Sequence, residues 1–471
     1  MTQPAVPAPL NKRWRYHFLG IGGVGMSALA QVLHRRGYRI SGSDIHDSES
    51  LRALSSAGIG VCVGHSAAAL LEADAVVYTS AVPAAHPIWA DVTRLGLPRF
   101  HRAQALGALS RGQRAAAVTG THGKTTTSAC LAFTLRQAGC DPTALIGGHV
   151  PQLDGANFTV GDGPWMVLEA DESDGSFLQF APDALLITNI EDDHLEHHGT
   201  QEKLQAAFAD FAALLPPHGP LVACRDDVQA TRLATAHGGR VISYGRHAQA
   251  DVRVEPLPRR AQGADLQRVV LHHAGGRYET ALRIPGLHNA VNLAGVFALA
   301  TAIGLPPLDA LAGLQAFQGV ARRQQFIGQR GGLRIFDDYA HHPTEIRATL
   351  AAFAAATGGP ITVVFQPHLY SRTARLAGEF AEALRPAARV IVTDVYAARE
   401  APQPGVSGRL IVERLAGHPS AEFAASWREA SERLLRDPPR GVLLTMGAGD
   451  ITNMGPYLLR AMGRVLEPRH E

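Results

Sequence analysis

Thr119-Gly120-Thr121-His122-Gly123-Lys124-Thr125-Thr126 gathers two glycines, a lysine and several hydroxyls into one short stretch. It follows the apolar run Ala115 to Thr119 and precedes Ser128 to Gln137, whose composition is helical. A strand, a glycine turn and a helix start in that order hold phosphate, because successive backbone N–H groups and the positive helix end converge on the anion. Glycine lets the backbone approach closely. Lys124 has the reach for β- and γ-phosphates, and the Thr125 hydroxyl suits Mg²⁺. Val118 stands where the common G-x-x-x-x-G-K-[ST] loop has its first glycine, so this loop is a shorter Gly-x-x-Gly-Lys-Thr.

A second turn, Gly20-Ile21-Gly22-Gly23-Val24-Gly25, fits G-x-G-x-x-G after the strand-like Tyr16 to Leu19, and Asp44 follows where a ribose-binding acid would stand. Alone it reads as NAD binding, but the same turn accepts any pyrophosphate, and a ligand-free tight turn has the same look. Two phosphate turns change the question. A dehydrogenase needs one, whereas an enzyme that joins ATP to a nucleotide-linked substrate needs both.

Glu169-Ala170-Asp171-Glu172-Ser173-Asp174 follows an apolar strand, at the strand end where ligands bind in parallel sheets. Glu169 suits Mg²⁺, a cation that prefers oxygen, though a solvated acidic loop has the same composition. Asn189 to His198 mixes acids with His194, His197 and His198 but lacks the H-E-x-x-H order of a zinc protease. His197 and His198 read equally well as surface residues.

These residues need elements to hold them. Strands are expected at Tyr16–Leu19, Arg39–Ser41 and Ala75–Thr79, with a helix over Met26–Arg36. In the central stretch they fall at Ala115–Thr119, Trp165–Leu168 and Ala184–Thr188, with a hairpin around Gly275-Gly276. Later strands are Leu333–Phe336, Ile361–Phe365, Val390–Thr393 and Val442–Thr445. Strand–helix alternation implies α/β domains with parallel sheets. The 471 residues, at about 100–200 per domain, divide as 1–109, 110–319 and 320–471. Net charge is +2, which argues against nucleic acid or a membrane surface as partner. Four scattered cysteines (Cys62, Cys130, Cys140, Cys224) fit a reducing, cytoplasmic setting. Met1 to Leu10 holds no apolar run of signal-peptide length, and no stretch approaches the ~18 apolar residues of a membrane span. Lysine occurs only at Lys12, Lys124 and Lys203 in an arginine-rich chain.

Taken together, GIGGVGMSALA (20–30), TGTHGKTTT (119–127), EADESD (169–174), Asn189–His194, Gly286–Asn292, Asp337–Glu345, Gln366-Pro367-His368, Asp394–Ala398 and Met446–Asp450 resemble the Mur ligase family over about residues 15 to 460. The family joins amino acids to a UDP-linked muramic acid in peptidoglycan synthesis. The resemblance implies a Rossmann-like N-terminal domain for the UDP substrate, a central P-loop ATPase domain and a Rossmann-like C-terminal domain. Within the family the alanine-adding branch fits best, with UDP-N-acetylmuramate and L-alanine as substrates, ATP and Mg²⁺ as cofactors, and a monomer or weak homodimer. It implies Gly22, Gly23, Val24, Gly25, His65 and Ser80 at the UDP moiety, and Gly120 to Thr126 at the ATP phosphates. Asn289 and Asn292 fall near adenine, Arg323 and Asp338 near phosphate and ribose. His368 and Arg372 match positions for the amino acid, and Thr125, Glu169 and His194 positions for the metal.

The implied reaction activates the substrate carboxylate as an acyl phosphate at the expense of ATP, and the alanine amine then displaces phosphate. Positioning and charge neutralisation dominate such a phosphoryl transfer, with Lys124 and Mg²⁺ supplying positive charge. Closure of the C-terminal block onto the central one is expected to assemble the site. His341 is a candidate to receive or orient the amine proton, or else a capping histidine beside His342-Pro343. Leu369 stands where the family often has arginine, and Gln324 where an aromatic is usual. The helix expected over Leu204–Leu215 has no lysine to carbamylate, and Lys203 comes too early. Other readings are a murein-peptide recycling ligase, an NAD-dependent oxidoreductase and a catalytically dead binding protein. The intact Lys124, Glu169 and His194 argue against the last.

Overall fold

The computed structural model describes residues 10–192, 195–258, 266–398 and 400–465. His194 lies outside the described residues. A first sheet has five parallel strands in the order Gly60–Val63, Arg39–Asp44, Arg15–Leu19, Ala75–Tyr78, Arg99–His101. Tyr16–Leu19 is buried throughout because both faces are covered: Tyr16 and Phe18 pack in one cluster, Leu19 with Val76 in another, and His17 is buried with them. Chain order reverses direction across this strand, which puts the Gly20–Gly25 turn at the crevice where open α/β sheets bind ligands.

A second, ten-stranded sheet has Arg114–Thr119 at its heart, flanked in parallel by Ala184–Ile187 and Trp165–Glu169. The phosphate loop and the acidic run therefore leave adjacent strands at the same edge. At the far end of this sheet Gln267–His273 and Gly276–Leu282 are neighbours. Ala274 (φ +48°) and Gly275 (φ +78°) turn the chain between them, both in the left-handed region that a two-residue hairpin turn requires.

A third sheet of six strands runs Gln325–Arg330, Leu333–Asp338, Val442–Met446, Ile361–Phe365, Arg389–Val392, Ala421–Phe423. Only Gln325–Arg330, at its edge, is antiparallel. The chain forms two compact units. One carries the first two sheets up to Glu255 with Val269–Thr280 and Val291–Phe317, and the other carries the third sheet with Ala281–Ala290. Among the described residues no helix is long and apolar enough to cross a membrane.

Two helices start earlier than composition suggests, Val24–Arg35 rather than at Met26 and Lys124–Gln137 rather than at Ser128. In both the N-cap is a glycine, Gly23 or Gly123, with no side-chain cap. Some other helices are capped by side chains, Thr200 before Gln201–Ala212 and Asp227 before Val228–Ala236, whereas the short Arg409–Arg414 also follows a glycine. A glycine cap leaves the first-turn N–H groups to a ligand instead.

Candidate active site

Gly120 sits at φ +131°, and a Cβ there would overlap Thr188 Oγ1. Gly123 (φ +83°) is as confined: a Cβ would come 2.5 Å from Asn292 Nδ2, so the helix bearing Asn292 lies directly on the loop. The strand that ends at Ile187 continues into a clamp on the same loop. Asn189 Oδ1 accepts the His122 N–H at 2.8 Å, and Asn189 Nδ2 donates to the His122 carbonyl at 3.0 Å. Thr121 Oγ1 accepts the Glu191 N–H at 2.9 Å, and His122 Nε2 lies 3.6 Å from Glu191. The Asn189–Glu191 segment thus sets the shape of the loop.

Lys124 Nζ donates to the Gly120 and Thr121 carbonyls at 2.7 and 3.1 Å and pairs with Glu172 at 2.8 Å. Burial pulls the ammonium toward the neutral form, but Glu172, then Asp171 and Glu169, more than offset it and raise its pKa. His198 supports this acid from behind, its Nε2 2.8 Å from the Glu172 carbonyl, so it is not merely a surface residue; His197 is exposed.

Glu169 ends its strand with both oxygens engaged. Thr125 Oγ1 donates to one at 2.7 Å; Gly147 N–H donates to the other at 2.6 Å, with Ser128 Oγ at 3.4 Å. A carboxylate beside a hydroxyl at the mouth of a phosphate loop is a hard oxygen donor set that fits Mg²⁺.

At the first turn, Gly20 (φ +78°) bends the chain, and Asp44 Oδ2 accepts the Gly22 N–H at 2.9 Å. His65 is held by Ser43, Oγ to Nδ1 2.7 Å, and Ser43 is also 3.0 Å from the buried His17. A cavity of about 790 Å³ opens here, lined by Gly22, Gly23, Val24, Gly25 and His65, and it extends to Gly147, Glu169 and Asp171. Ser80 is not in its lining; its hydroxyl meets His101 Nε2 at 3.0 Å. Among the described residues Arg102 is the one lysine or arginine in the lining, with Nη1 3.0 Å from where a Gly25 Cβ would stand.

The second unit holds the remaining candidates. Asp338 ends the strand Leu333–Asp338, buried and bonded by the Ala340 N–H (2.8 Å) and Thr349 Oγ1 (3.0 Å). Burial pushes its pKa up to about 6, against the pull of Arg323. Arg323 lies over the Tyr339 ring at 4.8 Å and 3.6 Å from Glu345. His342, not His341, caps the helix Pro343–Thr357. His341 Nδ1 is 3.0 Å from the Tyr339 carbonyl, so Nδ1 carries the proton and Nε2 is left as the basic atom. Burial lowers its pKa to about 4, opposed by Glu345 and assisted by Arg372. Its ring is 5.8 Å from that of His368, which stacks on Tyr396. Arg372 is buried one turn into Tyr370–Leu384. Asn289 Nδ2 donates to the Pro285 carbonyl and to Gln324 Oε1.

Three family models tile the chain: "Mur ligase family, catalytic domain" over residues 15–114, "Mur ligase middle domain" over 118–300, and "Mur ligase, glutamate ligase domain" over 322–449. The chain belongs to the Mur ligase family. Among its relatives, a UDP-N-acetylmuramate–L-alanine ligase of Paenarthrobacter aurescens is 45% identical over 97% of this chain and 99% of its own. Another from Anaeromyxobacter dehalogenans is 40% identical over 96% and 99%. The crystal structure of a UDP-N-acetylmuramate-alanine ligase from Thermotoga maritima superposes with a TM-score of 0.80 at 30% identity, covering 96% of this chain and 100% of that one. A murein peptide ligase from Psychrobacter arcticus shares the fold, with a TM-score of 0.68 at 23% identity.

For this Mur ligase, Lys124, Thr125 and Glu169 meet at one edge of the central sheet, and Asn292 packs on the loop beside them. Sequence reasoning left two neighbours without a role. Glu172 was visible only as one acid among several, and Arg102 only as one arginine among many; its sole signal was its place just after the strand Arg99–His101.

Proposed function

We propose that this chain joins L-alanine to the carboxylate of UDP-N-acetylmuramate in peptidoglycan precursor synthesis, in the cytoplasm, with cleavage of ATP to ADP and phosphate. One observation carries the reading: a single cavity runs from the Gly22–Gly25 turn to Glu169 and Asp171, beside the Lys124 loop. A diphosphate held at one end would place the far end of the same molecule where a γ-phosphate arrives. High identity to alanine-adding relatives over nearly the full chain supports the amino acid.

The Gly22 and Gly23 N–H groups are spent on Asp44 and the Gly20 carbonyl, so the N–H groups of Val24 and Gly25, at the helix start, and the side chain of Arg102 hold the diphosphate, and His65 orients the UDP end. Gly120 to Thr126 cradle the ATP phosphates. A substrate carboxylate oxygen attacks the γ-phosphorus, the bond to the β–γ bridging oxygen breaks, and ADP leaves. Lys124 lies where negative charge accumulates in that step, so its stabilisation grows toward the transition state. Thr125 and Glu169 would hold Mg²⁺, which when bound adds positive charge at the phosphates. The neutral alanine amine then attacks the acyl carbon and the C–O bond to phosphate breaks. His341 Nε2 takes or orients the proton released by nitrogen. Arg372 and His368 receive the amino-acid carboxylate, for which an arginine fork is suited. Asn289, Asn292, Arg323 and Asp338 serve the rest of ATP.

Phosphate release with UDP-N-acetylmuramate, ATP and Mg²⁺ against a panel of amino acids and the intact murein tripeptide tests this directly. L-alanine should give the highest kcat/KM. Preference for the tripeptide, or turnover without UDP-N-acetylmuramate, would overturn it.

A further inference from the structure

A second cavity, of about 1250 Å³, lies where the chain passes from the first sheet into the second, around Ser110–Arg114. Among the described residues it shares no lining with the cavity at Glu169. Lys12, Arg35, Arg36, Arg111 and Arg114 line it, against the carboxylates of Asp162 and Asp183. Five cations against two acids leave an excess of three, more than the +2 of the whole chain. Asp183 is already engaged, accepting the Ala115 N–H at 2.7 Å.

The cations are placed mainly by aromatic rings and neutral oxygens, with Asp162 and Tyr38 acting on Arg36 only through space. Among the described residues none of the five makes an ion pair. Arg35 lies over Phe158 at 5.1 Å, Arg114 over Trp165 at 5.2 Å, and Lys12 Nζ over Tyr38 at 5.6 Å. Arg36 Nη2 donates to Gln113 and Thr143, both neutral, while its Nε is shielded from solvent without an acceptor. Gln113 is itself fixed, its Nε2 donating to the Gly163 carbonyl at 2.6 Å. A half-buried guanidinium on neutral oxygens is electrostatically under-satisfied, and an anion would relieve it. A concave wall with a net excess of one sign also concentrates its field on small counter-charges.

We propose that this cavity is a binding site for a small oligophosphate anion, separate from the site at Lys124. A phosphate monoester carries about −1.5 to −2 at neutral pH, so an excess of three calls for two or more phosphates. The concave shape favours a small molecule over a membrane surface or a nucleic acid. Arg35 and Arg36 end the helix that begins at the Gly20–Gly25 turn, so occupancy bears on the element that holds the UDP substrate.

The test is calorimetric titration of inorganic pyrophosphate into the full chain, with UDP-N-acetylmuramate and a non-hydrolysable ATP analogue both saturating. Wild type should bind pyrophosphate further, and Arg35→Ala/Arg111→Ala should bind it at least about tenfold more weakly, from the loss of two charged contacts. Both positions are exposed, and the double variant should keep its melting temperature and its phosphate release in the absence of pyrophosphate. The wild-type–variant difference reads this site whatever occupies the other. Equal binding by the variant, no binding by saturated wild type, or binding of anionic vesicles or RNA in place of pyrophosphate would each overturn the proposal.

Discussion

Lys124 Nζ lies 2.8 Å from a carboxylate oxygen of Glu172, and both side chains are largely withdrawn from solvent, at 12% and 1% exposure. The lysine proposed to meet the ATP phosphates is thus held by a buried acid. Its compact ammonium bridges that acid and two loop carbonyls, a geometry that a planar guanidinium does not reproduce.

Removing Lys124 should have two separable effects. Lys124→Ala should lower kcat by about 10²–10³ through lost charge stabilisation. It should also lower the melting temperature, because breaking a buried pair by removing one partner costs about 3–5 kcal/mol. Adding Glu172→Gln should restore most of the stability and none of the activity. Calorimetry and phosphate release on the single and double variants check this; a double variant as unstable as Lys124→Ala would sink the pairing argument.

Gly123→Ala places a methyl against Asn292 at a backbone angle of φ +83°, which alone costs about 1–2 kcal/mol. KM for ATP should rise about tenfold, while KM for UDP-N-acetylmuramate stays put. Steady-state kinetics with each substrate varied in turn decide it.

Arg102→Gln should show the opposite split. A hydrogen bond to a charged group contributes about 1.5–3 kcal/mol, so KM for UDP-N-acetylmuramate should rise roughly ten- to hundredfold with ATP affinity unaltered. An unchanged KM would remove Arg102 from the diphosphate end of the cavity.

Stability should fall in mild acid partly because of His341. Its folded pKa of about 4 is below the unfolded 6.5, so between these values the unfolded chain binds the extra proton. Folding stability is thus unaffected by this group above pH 6.5 and is lost as pH falls toward 4. At pH 5 the difference amounts to about 2 kcal/mol. Relative to wild type, His341→Gln should gain stability on going from pH 7.5 to pH 5, read by urea melts at the two pH values. A constant difference would contradict the buried, neutral imidazole.

How much of this the sequence discloses depends on whether a contact is local. Gly120, Gly123, Lys124 and Thr125 lie within one turn, and the phosphate-loop reading of them follows from spacing alone. Glu169 is legible because it ends an apolar run. Glu172 is not, because Asp171, Glu172 and Asp174 carry the same charge, and only the folding of that turn decides which one faces Lys124. Asn292 reaches Gly123 across more than a hundred and fifty residues of chain, through helix packing that no short pattern encodes. Both helix starts came earlier than composition suggests because their caps are glycines, which lack the Ser, Thr or Asp signature. Leu369 has φ +70°, costly for a branched side chain, and nothing in its neighbours along the sequence signals it.

Glu169 stands where the two proposed binding sites meet. One of its oxygens holds the Thr125 hydroxyl and the other the Gly147 N–H, and Gly147 belongs to the wall of the cavity that starts at Gly22. A cation that draws on this carboxylate pulls electron density from the two oxygens and so weakens the bonds they accept. Whatever it takes from Gly147 is felt by the molecule lying against that wall, and reciprocity requires that molecule to alter the cation's affinity by the same factor. Magnesium titrations run with and without UDP-N-acetylmuramate are thus two legs of one thermodynamic square.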